Sequence, residues 1–146
     1  MKRYAFRLAS VLRVRRVQED LAKADLVAAN VRVLDARAVL EERIDHYDSL
    51  LEEEDGLGAV SLEVALARRQ RLNLAAAGVV RAVQSRHAAE TRAEEARVRY
   101  LDAARAVSVL ERLDQRRREE HRVEVDREET RAVDDLVVGR YGRGAA

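Results

Sequence analysis

Apolar residues in the first third of the chain recur in steps of four and three, at Val17, Leu21, Ala24, Ala28 and Val31, after an opening pair at Leu8 and Leu12. Arg, Lys, Gln and acids fill the gaps. This spacing keeps one face of an α-helix apolar and has the 3.5-residue period of a coiled-coil seam. The stripe shifts phase before Leu40, Ile44, Tyr47 and Leu51, which reads as a stutter in the seam. A second stripe runs through Leu62, Leu66, Arg69, Leu72, Ala76, Val79 and Val83, resumes at Val98 and Leu101, and again at Leu110 and Leu113. His87, Glu90 and Glu94 occupy its middle, so weak or wet packing is expected there.

The two periodic stretches are separated at "EEEDGLGAVSLE", where Gly56 and Gly58 permit the backbone to end one helix and turn. Ser61 is placed to cap the next helix, with Glu63 in its first turn. The pattern predicts helix 1 over about 4–55, a turn over 56–60, helix 2 over about 61–139 and a fraying tail over 140–146, rich in Gly. The chain contains no Pro, so no residue of either stretch lacks a backbone donor. The expected fold is all-α: a single antiparallel two-helix coiled-coil hairpin with a longer, overhanging C-terminal helix.

Charge supports the antiparallel arrangement. Glu41 to Asp55 holds eight acids against one Arg, whereas Ser61 to Arg86 holds five Arg against one Glu, and a hairpin lays these segments side by side. Such exposed pairs contribute roughly 0–1 kcal/mol each, enough to bias orientation. With the turn centred near Leu57, residue i faces about residue 115 − i, so helix 1 runs out near residue 111 of helix 2. The sequence beyond, "ERLDQRRREEHRVEVDREETR", suits an unpaired helix, with opposite charges at Asp114/Arg118, Glu119/Arg122, Glu124/Arg127 and Glu128/Arg131. At 1.5 Å per residue helix 2 would approach ~115 Å, a rod.

Composition narrows the functional classes. Charged residues make up 38% and aromatics 3%, with 47% apolar, mostly Ala, Val and Leu: the composition of long helices. Lys and Arg exceed Asp and Glu by 28 to 27, so no global attraction to nucleic acid or acidic lipid is expected. Without Cys there is no disulfide, thiolate nucleophile or Cys-ligated metal. The longest apolar run, Leu74 to Val80, is too short to span a bilayer. His46, His87 and His121 are too widely spread for a helical two-His metal face, and a rod offers no desolvated pocket in which carboxylates acquire separated pKa values. Neither catalysis nor a cofactor or metal is expected. Gly78, within "LAAAGVV", marks either a close backbone approach or a tolerated weak point. Lys2, Arg3, Arg7, Arg13, Arg15 and Arg16 make the first twenty residues locally basic, either as a patch for an anionic partner or as a face pairing with Glu94, Glu95 and Asp102.

Both ends of the chain resemble those of the FliJ-type flagellar export proteins. The opening "YAFRLASVLRVRRVQEDLAKADL" is similar to that family's Phe-x-Leu-x-x-Val-Leu-x-x-Arg phrase through Phe6, Leu8, Val11, Leu12 and Arg15 or Arg16, followed by Glu19 and Leu21. Near the C-terminus, Leu110 and Leu113, the Arg116–Glu120 block, Glu128, Glu129, Asp134, Asp135 and Leu136 resemble its second signature. The resemblance implies a cytoplasmic, non-enzymatic stalk of the flagellar type III export apparatus, peripherally associated with the membrane-bound machinery. Implied partners are a FliI-like hexameric export ATPase, an FlhA-like export gate protein and export chaperones. By that analogy, Tyr4, Phe6, Leu8, Arg13, Arg116, Arg117, Glu120, Glu128 and Asp135 are assigned to the ATPase, and His46, Tyr47, Leu50, Leu72, Ala76, Val79 and Val83 to the gate. The alternatives are ordinary seam roles for the latter, a coiled-coil adaptor or secretion chaperone of an injection system, or a nucleic-acid-binding helical protein.

Overall fold

The computed structural model describes residues 4–55 and 60–141, with the side chains of 4–53 and 60–134. Helix α1 spans Ala9–Asp55 and helix α2 spans Leu62–Tyr141, 47 and 80 residues; no strand occurs among the described residues. The expected turn at Gly56 and Gly58, the end of the tail beyond Tyr141, and Lys2 and Arg3 lie outside the described residues. Ser61 caps α2: its Oγ accepts from Val64 N at 3.4 Å and its carbonyl accepts from Ala65 N at 3.0 Å. The chain sorts into two compact units, one of Asp20–Leu101 and one combining the N-terminal segment to Glu19 with Asp102 onward.

In the Asp20–Leu101 unit, Arg43 meets Gly78 and Arg37 meets Glu90, so the helices run antiparallel. Residue 43 therefore lies across from 78 and residue 37 from 90, six to twelve positions beyond the partners expected from a turn centred at Leu57. Burial sets this register. On α1 the buried and half-buried positions are Ala22, Leu26, Ala29, Val33, Ala36, Leu40, Tyr47 and Leu50; Leu26, Val33, Leu40 and Tyr47 stand seven residues apart, as do Ala22, Ala29 and Ala36. No stutter interrupts them. On α2 the matching series is Arg68, Leu72, Ala75, Val79, Ala82, Arg86, Ala89, Ala93, Ala96 and Tyr100.

The stripe expected from the apolar pattern of helix 1 is not this seam. Val17, Leu21 and Val31 are 54%, 63% and 50% exposed, and Ala24 and Ala28 are exposed too. Nor is the middle of α2 thin: Ala82 and Ala96 are among the most buried residues, while His87 and Glu94 point outward. The reason is side-chain size. A seam with Ala at alternate positions lets two helix axes approach closely, and close approach excludes water from small residues that transfer scales rank below Leu and Val. Among the described residues no large side chain is fully buried and no polar or charged residue is buried, so the seam is shallow throughout.

The acidic and basic blocks on either side of the turn do not resolve into ion pairs among the described residues. The cross-helix pair of this unit has the opposite polarity, Arg37 on α1 to Glu90 on α2 at 3.0 Å, with Arg86 Nε 3.8 Å from the same carboxylate. Gly78 is no site of close backbone approach: a Cβ there would meet only Arg43 Cδ, at 3.8 Å.

In the other unit, Leu12 and Val107 are buried. α2 contributes Ala103, Leu110, Asp114 and His121 at half-buried seam spacing. Helix α1 begins at Ala9 and not near residue 4, with the Leu8 carbonyl accepting the first helical bond from Leu12 N at 2.9 Å. The segment before it is held by tertiary contacts: Tyr4 Oη donates to Asp114 Oδ1 at 2.8 Å, and its ring lies 5.7 Å from that of His121. A non-helical segment advances about 3.3 Å per residue against 1.5 Å in a helix, so these few residues reach further along α2. The overhang consequently starts beyond His121, not near residue 111; from Arg122 to Asp134 every residue except Val125 is exposed.

Candidate partner-binding site

The residues assigned to an ATPase fall into two groups. Tyr4 and Phe6 are half-buried; with Ala5, Arg7, Leu8, Leu113 and Arg117 they line a groove of about 550 Å³. Tyr4 is the centre of an internal clamp, because the Arg118 guanidinium sits 5.5 Å above its ring and also binds Asp114 through Nε and Nη2 at 3.1 and 2.9 Å. The hydrogen bond from Arg118, and then that from Tyr4, hold the Asp114 carboxyl below its ordinary pKa against the opposing effect of desolvation. Desolvation first, and then the bond to Asp114, push the Tyr4 phenol above its own ordinary value. The Asp114 carboxylate likewise raises Arg118. Tyr4, Asp114 and Arg118 thus fix the N-terminal segment on α2.

The second group is exposed. Leu8, Arg13, Arg116, Arg117, Glu120 and Glu128 all face solvent, with Arg117 and Glu120 paired at 3.0 Å. Asp135 is helical, but its side chain is outside those described. Among the described residues of the basic N-terminal face, Arg16 binds Glu111 at 2.8 Å and Arg15 binds Gln18, while Glu94 and Asp102 pair with Arg97 and Arg105 on their own helix. Of the four pairs expected on the late part of α2, Asp114–Arg118 forms. The hydrogen bond from Arg97 lowers Glu94 and that from Arg37 lowers Glu90.

The residues assigned to a gate are divided by the seam. Tyr47, Leu50, Leu72 and Val79 are seam positions, used in holding the two helices together. His46 is exposed and, with Leu50, lines a groove of about 530 Å³ on the flank that carries Ala75, Gly78 and Ala82. Ala76 and Val83 do not line that groove. In a heptad they follow the Ala75 and Ala82 positions and fall on the flank bordered by Leu72 and Val79. The sequence pattern singled out Gly78 but missed Arg43, Arg71, Leu74 and Arg81 around it. Their signal was present as the series Arg71, Leu74, Gly78, Arg81, Ser85, a helical face of small residues between guanidiniums.

No group of three or more His, Asp and Glu able to hold a metal ion occurs among the described residues. Among those same residues no helix is long and apolar enough to cross a membrane. Neither a curated protein nor a solved structure matches the chain. The family model of the flagellar FliJ protein does match, over residues 4–146, which includes both the clamped N-terminal segment and the whole of α2. With essentially its full length covered and a two-helix all-α fold, the chain belongs to the FliJ family of the flagellar export apparatus.

Proposed function

We propose that the chain is a non-enzymatic stalk that engages a FliI-like export ATPase ring through its terminal unit and an FlhA-like export gate through its hairpin unit. On this reading it promotes ring assembly and hydrolysis, escorts export chaperones, and works on the cytoplasmic side of the membrane-bound machinery. The observation that carries the proposal is the run Arg122–Asp134, helical and exposed at every described position but Val125. Apart from Val123, Val125, Ala132 and Val133 the run is polar, and a helix that buries so little on its own chain is suited to entering a surrounding partner. Exposed Leu8, Arg13, Arg116, Arg117, Glu120 and Glu128 are the contact residues of this reading; Tyr4 acts by anchoring the segment that presents Leu8.

The test is the hydrolysis rate and hexamer fraction of the cognate export ATPase with and without the purified chain. Both are expected to rise, and to rise less with the full-length variant Arg116→Glu/Glu128→Arg, whose exposed side chains leave the fold intact. An ATPase indifferent to the wild-type chain, or equally stimulated by the variant, refutes the assignment.

A further inference from the structure

We propose that the groove on the Gly78 flank of the Asp20–Leu101 unit is a docking site for an acidic amphipathic α-helix of another protein. The proposal is independent of the ATPase reading. The floor of the groove is small and apolar: Ala75, Ala82 and Leu50 are buried or half-buried, and the absent side chain of Gly78 leaves space bounded only by Arg43 Cδ at 3.8 Å. Above the floor, Leu74 is 63% exposed, an apolar side chain open to an occupant.

The rim supplies the charge. Arg43, Arg71 and Arg81 line the groove and no Asp or Glu does. None of these guanidiniums makes an ion pair among the described residues, whereas nearby Arg37 and Arg86 both share Glu90. A cationic rim around an apolar floor is complementary to carboxylates flanking bulky apolar side chains. A phosphate backbone would satisfy the rim but leave the floor wet, so the floor decides for a protein segment. The α2 side of the groove, from Arg71 to Ser85, is about 21 Å long at 1.5 Å per residue, which matches about four turns of a docked helix. Such an occupant would seat apolar residues spaced i, i+3, i+4 and i+7 over Gly78.

The experiment uses the intact, isotopically labelled chain and a synthetic 14-residue helical peptide with Leu at that spacing and Glu on both flanks. Amide shifts are expected at Val39, Arg43, Leu74, Gly78 and Arg81. The double variant Arg71→Glu/Arg81→Glu is expected to weaken binding at least tenfold, and a peptide with Lys in place of Glu is expected not to bind. Leu74→Ser, neutral and at an exposed position, is expected to weaken binding severalfold and decides the matter if the charge-reversed variant loses helicity. Unchanged affinity in the variants, equal binding of the Lys peptide, or shifts confined to the Ala76 and Val83 flank overturn the proposal. So does tighter occupancy of the same residues by phosphatidylglycerol vesicles, by single-stranded DNA or by a second copy of the chain.

Discussion

Leu21 and Leu40 sit on the same helix, in the same unit, and differ in exposure: 63% against 9%. Truncating each to Ala removes the same three carbons, so any difference in cost measures burial. At about 0.8 kcal/mol per buried CH₂, the transfer loss at Leu40 is about 2.4 kcal/mol, and a partly relaxed cavity brings the expectation to about 2–3 kcal/mol. At Leu21 roughly a third of that surface is removed from water, so the transfer term is about 0.9 kcal/mol, reduced slightly by the better helix propensity of Ala. Urea unfolding followed by circular dichroism at 222 nm separates the two. With an m-value of about 1.5 kcal/mol/M, the midpoint should fall by about 1.5–2 M for Leu40→Ala and by about 0.5 M or less for Leu21→Ala. If both variants lose the same stability, or Leu21→Ala loses more, the seam assigned from burial is wrong and the stripe through Val17, Leu21 and Val31 is the packed one.

Gly78→Ala should raise stability by about 0.5–1 kcal/mol through helix propensity and a less flexible unfolded chain, since the new methyl meets only Arg43 Cδ at ordinary contact distance; a lower melting temperature would reveal an unseen backbone approach. The pH dependence of the N-terminal clamp follows from Asp114, whose carboxyl is held below its ordinary value of 3.8 by Arg118 and Tyr4. A depressed folded-state pKa means that its stabilisation is complete above the unfolded value and is lost as pH falls through the folded one. Amide exchange of residues 5–8 should therefore be slower in the wild type than in Asp114→Asn at neutral pH, and the difference should vanish only below 3.8; a difference that disappears as pH rises would reverse the sign.

Much of the architecture was legible because it depends on local chemistry. The absence of Pro and the 3.5-residue recurrence of apolar residues specify long helices, and Ser61 with its neighbouring acid marks where the second one starts. The candidate surfaces were less legible. Tyr47, Leu50, Leu72 and Val79 were assigned to a partner by family analogy, with ordinary seam as the alternative, and all four fall at buried or half-buried seam positions. Tyr4 was assigned to a partner, whereas the structure bonds it to Asp114 across 110 positions, a distance no local pattern carries.

Helix type and helix number were thus written in residue order, because a backbone hydrogen bond or a cap reaches only three or four residues; the sign of the cross-helix ion pair, Arg37 to Glu90, was not. Which of two apolar stripes on α1 becomes the seam was not, because Leu21 and Leu26 have similar neighbours and the same intrinsic preference. Only the pairing with α2, whose seam positions include Ala75, Ala82, Ala89, Ala93 and Ala96, leaves Leu26 half-buried and Leu21 in water; small side chains there permit a close-packed seam. Tertiary contact likewise sets where the exposed helix after His121 begins, because the non-helical segment before α1 is held there by Tyr4 against Asp114 and His121.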